Sequence, residues 1–88
     1  MTDIVHSLTL DLIEWVSWKE RTYAETMDAW RTSCPKLPVW EDATERGLVE
    51  TATVDGRVLV RATIAGWAFL KENRPHAYED LQHRVGRT

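Results

Sequence analysis

Arg46-Gly47-Leu48-Val49-Glu50-Thr51-Ala52-Thr53-Val54-Asp55-Gly56-Arg57-Val58-Leu59-Val60-Arg61-Ala62-Thr63 carries more architectural information than any other part of this chain. Gly47 is a natural stop for a preceding helix, because glycine enters the left-handed region without a Cβ penalty. Beyond it, two β-rich runs flank Asp55-Gly56, a dipeptide preferred in two-residue type I′ hairpins. A turn of that type sets the register: Val54 opposite Arg57, Thr53 opposite Val58, Thr51 opposite Val60, and Glu50 opposite Arg61 as an expected cross-strand ion pair. Leu59 and Val54 alternate with Val58 and Val60, so one face of the hairpin is expected to present an apolar patch outward, available to a partner or a second copy. Thr63 is placed to cap a closing helix through Ile64, Trp67, Phe69 and Leu70, which ends at Asn73-Arg74-Pro75.

Upstream, Thr22-Tyr23-Ala24-Glu25 reads as a capping box, in which threonine hydroxyl and glutamate carboxylate each accept a first-turn backbone N–H. The helix it opens carries Tyr23, Met27 and Trp30 on one face and stops at Thr32-Ser33-Cys34-Pro35, since proline disfavours helical geometry in the residue before it. A short third helix follows from about Pro38 to Arg46. The first helix spans Ile4 to Trp18, where Val5, Leu8, Leu12, Trp15 and Val16 recur near the helical period. From His76 to Thr88 the chain is polar and reads as a flexible tail, in which Tyr78, Leu81 and Val85 form at most a weak amphipathic turn or two. The expected organisation is one domain over residues 1–75 and a tail over 76–88.

A chain of 88 residues can bury roughly two-thirds of its unfolded surface, so its core is modest. Trp15, Trp30, Trp40 and Trp67 fall at core-facing positions and are expected to supply much of it, whereas Trp18, at the end of the first helix, is expected to be exposed and a candidate anchor for a partner. Hydrophobic residues at 43% and charged residues at 28% are near globular averages, which argues against wholesale disorder. A net charge of -3 gives no global attraction to a phosphate backbone, so nucleic-acid binding would have to come from a local patch. A lone cysteine, Cys34, fits a reducing compartment; with no basic leader and no long apolar run, the expectation is a cytoplasmic protein without a membrane partner.

The run Arg46-Gly47-Leu48-Val49, then Asp55-Gly56-Arg57, then Thr63-Ile64-Ala65-Gly66 resembles the latter half of MarR-type winged-helix regulators, in which a helix ends in Gly-Leu-Val, a hairpin wing carries Asp-x-Arg and Thr-x-x-Gly opens the next helix. The resemblance covers about residues 9–70. It implies a mainly α fold with a small β-hairpin: a winged helix-turn-helix of three helices, a two-stranded wing and a C-terminal helix. Thr22 through Pro38 is also similar to a small family of uncharacterised bacterial proteins, which implies no activity. In DNA-binding winged helices the third helix enters the major groove and a wing arginine lies along the phosphates. The wing arginine carries over to Arg57, with Arg31, Lys36 and Arg46 as the other candidate phosphate contacts. The recognition helix carries over poorly: with Val39, Trp40 and Ala43 turned inward, Glu41, Asp42 and Glu45 face outward, and a duplex repels each of them.

Candidate chemistry is sparse. Glu41 and Asp42 are adjacent on a helix and diverge by about a hundred degrees, so they do not form an acid/base pair. Cys34 reads as a small buried thiol at the turn. His6, His76 and His83 lack zinc-ligand spacing and read as solvated. The resulting expectation is a non-catalytic binding module with no metal, cofactor or evident small-molecule ligand. Its partner surface is assigned to Glu41, Asp42, Glu45, Trp18 and Leu59 and its partner is a protein or a second copy; DNA binding through Arg31, Lys36, Arg46 and Arg57 is the alternative.

Overall fold

The computed structural model describes residues 4–31 and 39–85. The turn read between the second and third helices, with Cys34 and Lys36, lies outside the described residues, as does the side chain of Arg31. The architecture is mainly helical with a small three-stranded antiparallel sheet. In chain order the elements are α1 (Ile4–Trp18), β1 (Arg21–Thr22), α2 (Tyr23–Arg31), α3 (Val39–Glu45), β2 (Val49–Val54), β3 (Arg57–Ala62), α4 (Ile64–Asn73) and α5 (Pro75–Val85).

The local devices read from the sequence form as expected. The Glu25 N–H donates to Thr22 Oγ1 at 3.0 Å and the Thr22 N–H donates to Glu25 Oε1 at 3.2 Å, closing both halves of the capping box. Thr22→Ala removes one of these acceptors, and the expected result is a loss of about 1 kcal/mol in urea denaturation. An unchanged midpoint would show that the cap contributes nothing. At the end of α3, Gly47 adopts φ +70°. The Gly47 N–H reaches the Thr44 carbonyl at 3.0 Å and the Leu48 N–H reaches the Ala43 carbonyl at 2.8 Å, the paired bonds of a Schellman motif. Asp55 and Gly56 have φ values of 52° and 78°, both positive as a type I′ turn requires, and the β2–β3 pairing matches the expected register at every pair from Val54–Arg57 to Glu50–Arg61.

Three features of the sheet and the C-terminal stretch differ from the sequence reading. The hairpin is joined by a third strand, β1, which pairs with β3 through Arg21–Val60 and Thr22–Leu59, giving the sheet order β1-β3-β2. Two residues are too short for periodicity to reveal as a strand. Glu50 and Arg61 stand opposite each other, yet none of the ion pairs among the described residues joins them. The polar stretch from residue 76, expected to be flexible, is helical through Val85. Pro75 occupies the first position of α5, where its missing N–H costs little. Leu81 is buried in the common core, and Tyr78 meets Trp67 edge-to-face with ring centroids 5.9 Å apart.

That core is aliphatic. Leu12 and Ile13 of α1, Ala43 of α3 and Leu70 of α4 have no exposed surface, and Val16, Val39, Leu48, Val49 and Val60 close around them. Trp15, Trp30, Trp40 and Trp67 do not fill the centre as expected: all four are half-buried and pack around its margin. Indoles are large and carry a polar N–H, so a small domain buries their faces while leaving an edge near water. Trp15 stands edge-to-face on Trp30 at 6.1 Å, and Trp40 on Tyr23 at 5.9 Å.

Arg74, at the α4–α5 junction, ties that corner to α1. It donates to Asp11 Oδ1 at 2.8 Å, to Glu14 Oε2, and to the Ser7 carbonyl at 3.4 Å. Burial disfavours its charge, but the hydrogen bonds and negative charges of Glu14 and Asp11 outweigh that effect and raise its pKa above the ordinary guanidinium value.

Candidate functional site

The third helix and the hairpin set out the candidate surface, and the structure divides its residues into two groups. Val39 and Ala43 turn inward as the 3.6-residue period requires, which leaves Glu41 and Glu45 exposed on the outer face of α3. Asp42 is drawn out of that face. Its Oδ2 accepts from Thr9 Oγ1 at 3.1 Å and from Arg46 Nη1 at 3.2 Å, so it fastens α3 to α1 rather than facing a partner. Thr9 has no exposed surface, and Asp42 satisfies its buried hydroxyl.

The cations expected to serve DNA are occupied where they can be seen. Arg46 pairs with Asp42 one helical turn away, and its guanidinium lies 4.7 Å above the Phe69 ring. Arg57, the wing arginine, is held at 2.5 Å by Glu20, which follows α1. An exposed pair of this kind adds at most about 1 kcal/mol to stability. Its electrostatic effect is local: a carboxylate stands beside the guanidinium that a phosphate would need.

Trp18 is exposed as expected, at 51% of its surface. Arg21 lies against it with the guanidinium carbon 5.8 Å from the ring centroid, closer still to Trp15 at 3.9 Å. Leu59, assigned to an outward apolar patch, is only 7% exposed and is withdrawn from the partner surface. The reason is that β3 is the central strand: β1 and β2 flank it, α1 and α2 both pack on it, and at Leu59 and Val60 both of its faces are covered. Val58 and Val54 are both exposed, because the hairpin tip extends past the helices that cover its base.

His6 is also not the solvated side chain expected. It stands edge-to-face on Phe69 at 5.2 Å, with Nε2 3.3 Å from Asn73 Oδ1. Among the described residues no group of three or more His, Cys, Asp or Glu is arranged to hold a metal ion, and no helix is long and apolar enough to cross a membrane.

Sequence reasoning missed Arg21. It is 7% exposed, donates through Nε to the Trp15 carbonyl at 3.1 Å and pairs with Glu25 at 3.7 Å. The available signal was the i, i+4 spacing of Arg21 and Glu25 across the capping box. No protein-family model, curated protein or solved structure matches the chain.

Proposed function

We propose that this chain is a non-catalytic winged-helix module that binds a protein partner through the outer face of its third helix. The fold part of the reading is supported by the element order α1-β1-α2-α3-β2-β3-α4, by the sheet order β1-β3-β2, and by a hairpin following directly on the third helix. The Gly-Leu-Val, Asp-Gly-Arg and Thr-x-x-Gly signals that resemble MarR-type regulators fall at the α3 exit, the hairpin tip and the α4 start.

One observation carries the functional part. The exposed face of α3 is acidic through Glu41 and Glu45, and the two candidate phosphate-binding cations among the described residues, Arg46 and Arg57, are paired with Asp42 and Glu20. Such a face repels a duplex and complements a basic protein surface. DNA binding is the competing reading, and it draws on the exposed position of Arg57 on the wing.

The decisive measurement is capture from a lysate of the source cell on immobilised protein, analysed for both protein and nucleic acid. Asp42 is left unchanged because of its role between α1 and α3. The double variant Glu41→Gln, Glu45→Gln is expected to lose the captured protein while its stability stays within about 0.5 kcal/mol of the parent, since both sites are exposed. Duplex DNA bound at physiological salt with Kd below about 10⁻⁷ M, and weakened by Arg57→Ala, would overturn the reading in favour of a DNA-binding regulator.

A further inference from the structure

A second acidic surface lies away from the third helix. Asp11, Glu14, Trp15 and Trp18 follow one another at i, i+3, i+4 and i+7, which places two carboxylates and two indoles along one side of α1. Where that side meets α5, a groove of about 300 Å³ opens, lined by these four residues together with Asp80 and Leu81 of α5. A volume of that size is at the lower end for ligand sites and suits one long side chain better than a large cofactor.

The charge of the groove is set by the Arg74 clamp. One guanidinium bonds Asp11 Oδ1 and Glu14 Oε2, so a single positive charge faces two negative ones. The second oxygen of each clamped carboxylate, Asp11 Oδ2 and Glu14 Oε1, has no protein donor among the described residues. An occupant therefore meets free acceptor positions, a surplus of negative charge and the faces or edges of two indoles.

We propose that this α1–α5 groove is a docking site for an arginine side chain presented by a partner polypeptide. A planar guanidinium stacks on an aromatic face and donates in a fork to carboxylates, and its alkyl stem covers apolar wall. The molecule already contains one such arrangement: Arg21 lies 3.9 Å over Trp15, 5.8 Å from Trp18 and within 3.7 Å of the Glu25 carboxylate. Arg21 does not line the groove, so the position there remains for a second cation. An anion is repelled by the same carboxylates, and a neutral apolar group would bury their second oxygens without a donor.

The inference rests on the reading of the chain as a protein-binding module, but not on the third helix being the contact. Its test is titration of the intact protein with the blocked tripeptide acetyl-Gly-Arg-Gly-amide, followed by the indole N–H resonances. The expected result is saturable shifts at Trp15 and Trp18 with Kd of about 1 mM, and affinity about tenfold weaker for the citrulline peptide, which keeps the shape and loses the charge. Trp18→Ala and, separately, Asp80→Asn are expected to weaken binding, while Glu41→Gln, Glu45→Gln leaves it unchanged. The proposal is overturned if the resonances do not move, if the citrulline peptide binds equally, or if both groove variants bind like the parent. Equal affinity for the lysine peptide overturns the assignment to arginine. Failure of the third-helix reading is read separately, as protein capture retained by Glu41→Gln, Glu45→Gln, so it gives a different result from failure of the groove.

Discussion

Gly66→Ala is expected to destabilise the domain by about 3 kcal/mol, at the upper end of overpacking costs, or to prevent folding. Helix propensity alone gives the opposite sign, since alanine is favoured over glycine inside a helix by about 1 kcal/mol. The structure reverses it because a Cβ on Gly66 would lie 2.0 Å from the Leu48 carbonyl oxygen and 3.0 Å from its carbonyl carbon. That carbonyl cannot move aside cheaply. It accepts from the Thr63 N–H at 3.0 Å, while the Leu48 N–H is held in the Schellman motif that ends α3. Thr63 ties the same corner twice more, donating from Oγ1 to the Gly47 carbonyl at 2.5 Å and accepting from the Gly66 N–H at 3.0 Å. Thermal or urea denaturation of the variant checks the sign, and a more stable Gly66→Ala would mean that α4 does not approach the α3 exit this closely.

Leu81→Ala is expected to cost about 3 kcal/mol, in the range found for truncating a buried leucine. Leu81 is 5% exposed and belongs to the core cluster with Leu12, Ile13 and Leu70. Were residues 76–88 a flexible tail, the same substitution would change stability by less than about 0.5 kcal/mol, so one denaturation curve separates the two descriptions. The groove proposed to accept arginine also depends on this packing, because one of its walls is α5.

The purpose of the Thr-x-x-Gly signal illustrates how far a sequence can be read. The threonine was legible as a cap, and it accepts from the N–H three residues on. The need for glycine was not legible, because it arises from a backbone carbonyl eighteen positions upstream. The outer face of α3 was legible in the same partial way. Periodicity placed Glu41 and Glu45 outward correctly, but assigned Asp42 to the same surface, since the buried Thr9 hydroxyl that recruits it belongs to another helix. Leu59 and the tail failed for the same reason. Alternation says which face of a strand a residue occupies, and only the neighbours packed on that face say whether it is covered.

The sequence by itself determined the local grammar: the capping box at Thr22, the glycine stop at Gly47, the Asp55-Gly56 turn with its register and the helix start at Thr63. Each is decided by a few adjacent residues through backbone sterics and short hydrogen bonds, so no distant contact is required. Only the tertiary structure decided that β1 joins the sheet, that α5 is part of the core, that the tryptophans lie at its margin, and that Asp11, Glu14, Trp15, Trp18 and Asp80 share one groove. Those outcomes depend on contacts between segments far apart in the chain, where burial of apolar surface and satisfaction of buried polar groups outweigh local preference.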